Sequence, residues 1–318
     1  MVKTEHAQTP VAATPPAVET KHLRKVFGRK VAVDSLSLAV GKGEVFGFLG
    51  PNGAGKTTAV KMLMGLAHPT AGEAHILGRP VGDIAMRRRI GFLPEHFRFH
   101  DWLRADEFLN WHGQLYGMSR EDRARRIPEV LKLVGLAGET RQRLHTFSKG
   151  MLQRVGLAQA LLNEPAVVFL DEPTSALDPI GRRDVRDIIK HLRGQGVTVF
   201  LNSHLLSEVE MVCDRVAIID HGRVIQQGTM NELLASKMEV ELRVDGLDEE
   251  MLADLRSASI SLEVDRQTVR AAVADEEAVP RLAEAVVRHG GRLYELAPHR
   301  RSLEDLFVHA IEGEEHRQ

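Results

Sequence analysis

Within nine residues, Gly50-Pro51-Asn52-Gly53-Ala54-Gly55-Lys56-Thr57-Thr58 combines three glycines, a lysine and two hydroxyls. That set can hold phosphate. Glycine backbone approaches an anion closely, and N–H groups converge on it where a helix begins. A lysine ammonium supplies charge, and a neighbouring hydroxyl can ligate a divalent cation. The chemistry depends on context, because the loop must leave a strand and enter a helix. Val45-Phe46-Gly47-Phe48-Leu49 ahead of it is a continuous apolar run, read as a buried strand, and Ala59–Leu66 behind it reads as a helix. In that setting Lys56 is expected to reach β- and γ-phosphates and Thr57 to ligate Mg²⁺. A flexible turn of the same composition would do neither.

Two further apolar runs end in reactive side chains. Val167-Val168-Phe169-Leu170 leads into Asp171-Glu172, and Val197-Thr198-Val199-Phe200-Leu201 into Asn202-Ser203-His204. Asp171 is placed to hold Mg²⁺ and Glu172 to polarise an attacking water. His204 reads either as a capped strand end or as a contact to the γ-phosphate and the water. Carboxylates are common on surfaces, so the pair gains meaning only from its buried strand. Ligands in open α/β sheets bind at the carboxyl ends of strands, and three such ends would bring Gly50, Asp171-Glu172 and His204 to one edge.

The elements around these residues follow from pattern. Residues 1–19, rich in Ala, Thr and Pro, read as a disordered tail, with structure expected from Thr20. Val31-Ala32-Val33, Leu36, Leu38 and Val40 suggest short strands, with Phe27-Gly28 in a turn between them. Phe27 alone reads as a core residue or an adenine-stacking ring. Thr70–Glu73 reads as a turn and Ile90–Glu95 as a strand ending at a carboxylate. Trp102–Asn163 is helical, with Ile127, Val130, Leu131 and Val134 on one face. Pro128 is expected to kink that helix or mark its start, and Ser148 to cap another over Met151–Asn163. Val216–Ile225 reads as a hairpin. Beyond Leu234 the order is β-α-β-β-α-β, a ferredoxin-like succession closed by a helix at Ser302–Ile311.

Composition sets limits. The chain has 318 residues, 43% hydrophobic, enough for a large domain and a small one. A net charge of −2 offers no basic field for nucleic acid. Cys213 is the single cysteine, so no internal disulfide forms, and it reads as a packed residue. No run approaches the ~20 apolar residues of a spanning helix. A soluble protein is expected, reaching any membrane through a partner. His96 and His100 are spaced as a metal pair, but Pro94 and the aromatic neighbours favour a loop and no third ligand is evident.

GPNGAGKTT, LPEHF, FSKGMLQR, VVFLDEPTSALD and LNSHLLSEVE stand in the order found in ABC-type ATPase subunits, which residues 20–235 resemble. The resemblance implies a P-loop NTPase core of α/β class. That core would carry an antiparallel β subdomain and a helical subdomain at about 96–165. It also implies that Phe27 stacks on adenine and that Gly50, Pro51, Asn52, Gly53, Ala54, Gly55, Lys56, Thr57 and Thr58 hold ATP. FSKGM matches the family signature at Ser148 and Gly150 and departs at Phe147, Lys149 and Met151. In the family this loop meets the γ-phosphate bound by the opposite subunit, and Asp178 lies on the loop that crosses between subunits. Glu95 replaces the usual glutamine near Mg²⁺. RRSLEDLF resembles the C-terminal extension of antibiotic- and lipid-type exporter ATPases.

The expected protein is therefore the ATP-hydrolysing subunit of an ABC exporter. It would work as a homodimer bound to a polytopic membrane permease at the cytoplasmic face, with Lys56, Glu172 and His204 catalytic. Residues 236–318 are expected to form a small α+β accessory domain that supplies no catalytic group; Leu303, Leu306, Phe307 and Ile311, at helical spacing, read either as a subunit–subunit contact or as cover for the domain's own sheet. Two rivals stand: a soluble ABC-type ATPase without a membrane partner, and a non-catalytic nucleotide-gated module. The intact Lys56, Asp171, Glu172 and His204 oppose the second.

Overall fold

Alternating apolar and polar residues from Val18 onward build a long hairpin. A computed structural model of the chain describes residues 15–96, 99–175, 177–234, 238–299 and 302–315. In it β1 (Val18–Phe27) pairs antiparallel with β2 (Lys30–Val40). β1 starts ahead of Thr20, inside the expected tail, because Val18 is buried between Val40 and Ile76. β2 is one strand rather than several short pieces. Register shifts and a left-handed Ser35, φ 55°, absorb its irregular alternation.

The buried β3 (Val45–Leu49) feeds the glycine-rich loop, and α1 (Lys56–Leu63) follows. This helix starts and ends earlier than Ala59–Leu66, since the loop opens directly into its first turn and Gly65 turns the chain away after Met64. β4 (Ala71–Ile76) corrects the turn expected at Thr70–Glu73: Ala71 pairs with Arg24 and Glu73 with Lys21. With β5 (Arg79–Pro80) it completes an antiparallel sheet of order β2-β1-β4-β5.

After the short α2 (Ile84–Arg87), β6 (Ile90–Leu93) stops at Pro94. Three helices follow: α3 (Ala105–Leu115), α4 (Arg120–Leu133) and α5 (Lys149–Leu161). Ser119 caps α4, so Pro128 lies inside that helix and does not mark its start. Then come β7 (Val167–Asp171), α6 (Pro179–Gly194) and β8 (Thr198–Asn202). Strands β3, β8, β7 and β6 lie side by side and parallel, with Val45 opposite Val199, Phe169 opposite Phe200 and Asp171 opposite Asn202. The residues of β3, β7 and β8 are buried on both faces, as continuous apolar runs require. The rings of Phe46, Phe48 and Phe169 each lie 5.2–5.6 Å from that of Phe200.

β9 (Arg215–Asp220) and β10 (Arg223–Thr229) form the expected hairpin, and its turn end borders β3 in the same sheet. The chain divides into two compact units, one of Met1–His204 with Ile219–Val224, the other of Leu205–Ile218 with Ile225–Gln318.

The second unit holds α7 (Leu206–Val212), α8 (Met230–Leu234), β11 (Met238–Asp245), α9 (Glu249–Ser257), β12 (Ser261–Asp265), β13 (Thr268–Val273), α10 (Ala278–Arg288), β14 (Arg292–His299) and α11 (Leu303–Glu315). Its antiparallel sheet runs β12-β13-β11-β14 over a core that includes Val240, Leu242, Met251, Leu255, Leu282 and Val286. α11 packs on α7 and α8; Leu303 and Leu306 are buried and the Leu303 N–H donates to the Glu210 carboxylate at 3.0 Å. Among the described residues no helix is long and apolar enough to cross a membrane.

Candidate active site

Parallel strands end on one edge, and the site is built there. β3 delivers the loop, β7 delivers Asp171 and Glu172, and β8 delivers Asn202 with His204 close behind. A cleft of about 470 Å³ opens on this edge. Its lining includes Asn52, Gly53, Gly55, Lys56, Thr57, Thr58, Glu95, Glu172 and His204, joined by Lys30, Ala32 and Asn202.

The loop is held by backbone contacts, some within it and some from neighbouring strands. Gly55 has φ +100°, and a side-chain carbon there would sit 2.2 Å from the Ala32 carbonyl oxygen. Only glycine fits that approach. The Ala54 N–H donates to the Pro51 carbonyl at 3.2 Å. Lys56 Nζ donates to the carbonyls of Gly50 at 2.6 Å and Pro51 at 3.0 Å, which folds its ammonium back over the loop. Burial lowers the Lys56 pKa, against the attraction of Glu172, Asp171 and Glu95. A cation facing carboxylates in a half-buried cleft is suited to a polyanion that brings its own cation.

Glu172 occupies an unusual backbone state, with φ 53° for a side chain that carries a Cβ. Strain of this kind persists where surrounding contacts over-determine it. Here the Glu172 N–H donates to the Asn202 carbonyl at 2.8 Å. The Gln153 side-chain amide donates to the carbonyls of Glu172 and Pro173 at 3.3 and 3.1 Å. The Glu172 carboxylate is thereby aimed at His204, whose Nδ1 lies 2.7 Å from Oε2. Burial pushes the Glu172 carboxyl above its ordinary value, partly opposed by the hydrogen bond from His204. Burial likewise raises Asp171, opposed by the Asn202 amide that donates to it. The other atom of that amide, Asn202 Oδ1, is buried and has no hydrogen-bond partner among the described residues.

Other residues singled out in the sequence lie elsewhere. Ser148 and Asp178 are helix caps: Ser148 Oγ accepts from the Met151 N–H at 3.2 Å, and Asp178 Oδ1 from the Gly181 N–H at 2.7 Å. Together with Gly150 they line a second hollow of about 610 Å³, separate from the phosphate cleft. Ala176, in the loop before Asp178, lies outside the described residues, as do Phe97 in LPEHF and the two arginines of RRSLEDLF. Phe27 is 53% exposed, carries the Lys25 ammonium 4.9 Å from its ring centre, and does not line the cleft. Arg154 bonds Asp184 and the Val134 carbonyl, a structural role. His100 packs its ring on Trp102 and Trp111, at 4.9 and 5.6 Å. No group of three or more His, Cys, Asp or Glu is placed for a metal among the described residues.

Sequence reasoning gave Asn202, Lys30 and Gln153 no part in the site. A buried amide on an otherwise apolar helix face was the available signal for Gln153, since such a group needs partners.

Comparison with known proteins agrees with this geometry. The sequence profile of the ABC transporter family matches residues 33–175. An uncharacterized ABC transporter ATP-binding protein of Synechocystis is 43% identical over 95% of this chain and 88% of its own length. The Nod factor export ATP-binding protein I of Rhizobium is 34% identical over 92% of this chain and 96% of its own. A dimeric ATP-binding cassette solved in a post-hydrolysis state with ADP and phosphate superposes with a TM-score of 0.62. It is 28% identical and covers 67% of this chain and 98% of that one. With the phosphate loop, the acidic pair and His204 on one sheet edge, the chain belongs to the ABC transporter family as an ATP-binding, ATP-hydrolysing subunit.

Proposed function

We propose that the chain is the motor subunit of an exporter, binding ATP in the cleft and hydrolysing it as a homodimer beneath a membrane permease. One observation carries the catalytic part: the buried Glu172 carboxylate is held in strained backbone against His204, in the cleft that Lys56 also lines. Lys56 and the loop amides bind the β- and γ-phosphates. Glu172 takes a proton from the attacking water, a task favoured by its raised proton affinity. His204 orients that carboxylate and faces the γ-phosphate. Phe27 stacks on adenine once the nucleotide brings a base to it.

The residues present fit Mg²⁺. Thr57, Asp171 and Glu95 offer hard oxygen donors, and the orphaned Asn202 Oδ1 can accept from a water. Among the described residues no three His, Cys, Asp or Glu side chains converge there, which suits an ion that keeps waters and phosphate oxygens. When bound, it neutralises charge developing on the phosphates.

Ser148, Gly150 and Asp178 sit together but away from the cleft, which supports a site completed by a second copy of the chain. A hollow of about 570 Å³ beside the exposed Trp102 and Trp111 supports a docking face for the permease. The export role of the Rhizobium relative supports the direction of transport. The strand order β12-β13-β11-β14 supports reading 236–318 as a ferredoxin-like accessory domain.

Glu172→Gln tests the mechanism. It keeps shape and removes the base, so turnover is expected to fall at least about a hundredfold while ATP with Mg²⁺ drives a dimer in gel filtration. Near-normal turnover, or a monomer under those conditions, would contradict it. Recovery of a polytopic membrane protein with the tagged chain distinguishes the exporter from a soluble ATPase.

A further inference from the structure

Two backbone carbonyls approach glycines of the phosphate loop closely. Ala32 closes on Gly55, and a side-chain carbon at Gly50 would sit 2.3 Å from the Ile219 carbonyl oxygen. Ala32 belongs to β2 and Ile219 to β9, one residue ahead of the turn that leads into β10, so this turn stands beside the loop and β2. That turn, Asp220-His221-Gly222-Arg223, is tied to both. The Gly222 N–H donates to the Ala54 carbonyl within the loop at 2.9 Å, and the Gly222 carbonyl accepts from the Asp34 N–H at 2.8 Å. Gly222 has φ +79°, and a Cβ there would meet Val33 Cα at 2.7 Å, so a larger residue must move the turn. Side chains repeat the link. Arg223 donates to Asp34 Oδ2 from Nη2 at 2.6 Å and Nε at 2.9 Å, while Arg24 donates to Oδ1 at 2.7 Å. The Arg223 hydrogen bond holds the Asp34 carboxyl below its ordinary value, so the link stays charged at neutral pH.

We propose that the Asp220–Arg223 turn, locked to Asp34, is a positioning brace that sets the phosphate loop in the shape that binds nucleotide. The inference rests on reading Gly50–Thr58 as a nucleotide-phosphate loop. Asp34, Gly222 and Arg223 do not line the cleft, so they act through the loop and not on the nucleotide. The loop meets phosphates that ATP and ADP share, and loss of the brace weakens both alike.

Titration calorimetry of ATP and ADP into the full chain tests this with Asp34→Ala, Arg223→Ala, their double variant, Arg223→Lys and Gly222→Ala. Each single side-chain removal is expected to weaken both nucleotides about threefold, the scale of one exposed ion pair. The double variant should be no worse than either single, since the two groups act as one unit. Arg223→Lys should restore part of the loss, and Gly222→Ala should cost about tenfold or more. Loss should appear in KM for ATP, with kcat at saturation within about twofold. Binding at wild-type affinity in Arg223→Ala and Gly222→Ala would overturn the brace. So would a fall in kcat and binding stoichiometry at unchanged affinity, the mark of a merely structural role. If Gly222→Ala does not fold, the Asp34 and Arg223 cycle decides. A wild-type chain that binds neither nucleotide would instead overturn the phosphate-loop reading.

Discussion

Lys56 shows how a single charge is set in a half-buried cleft. Its ammonium bonds two carbonyls of its own loop and faces three carboxylates, yet burial still lowers its pKa. A polyphosphate would relieve that cost by supplying the missing counter-charge. Lys56→Ala is expected to weaken ATP binding about tenfold to a hundredfold, the range of one charge-assisted hydrogen bond. Fluorescent-nucleotide titration measures it, and unchanged affinity would remove Lys56 from the site. Glu172 is the complementary case, a carboxylate whose backbone is forced into the left-handed region by Asn202 and Gln153. Cys213, by contrast, is buried and its thiol pushed well up, so it is an inert packed residue as its composition suggested.

Element by element, the helices carry their own chemistry. α3 places His112 beside Phe108, ring centres 4.4 Å apart, with His100 nearby. Burial first, and repulsion from His100 second, lower the His112 pKa below 6.5. The unfolded chain then binds the proton at higher pH than the folded one. The stabilisation is complete above pH ~6.5 and is lost as pH falls through the lowered folded value, at no more than about 1.4 kcal/mol per pH unit for one proton. Both tryptophans of the chain, Trp102 and Trp111, report on this region. Urea unfolding followed by their fluorescence should show that slope in the wild type and a shallower one in His112→Gln. Equal slopes would assign the acid sensitivity to other groups.

At the scale of the molecule, the described lining of the cleft falls within the first compact unit. Every residue lining the cleft precedes residue 205. The second unit has its own sheet and core, and α11 returns to cover α7 and α8. Leu306, 4% exposed on α11, is expected to cost about 2–5 kcal/mol when cut to Ala, as buried leucines do. ATP affinity should stay within about threefold of wild type, because no lining residue is touched. Thermal unfolding and calorimetry test the two halves of this statement. A large loss of ATP affinity would show that the second unit shapes the cleft.

What the sequence determined alone is what local pattern can encode. Apolar runs of strand length, glycine spacing and a carboxylate at a strand end are written within a few residues of one another, so the loop, Asp171, Glu172 and His204 were legible with their shared edge. The β-α-β-β-α-β order was legible for the same reason. Only the tertiary structure decided the rest, because the partners are far apart in the chain. Gln153 meets the backbone of Glu172 across 19 positions and Arg223 meets Asp34 across 189. Thr70–Glu73 carries a turn signal in Gly72, yet pairing with β1 makes most of it strand, since a ladder partner outweighs local preference. The positive φ of Glu172 has no signature in residue type at all. It exists because packing and hydrogen bonds from two other elements leave that backbone no alternative.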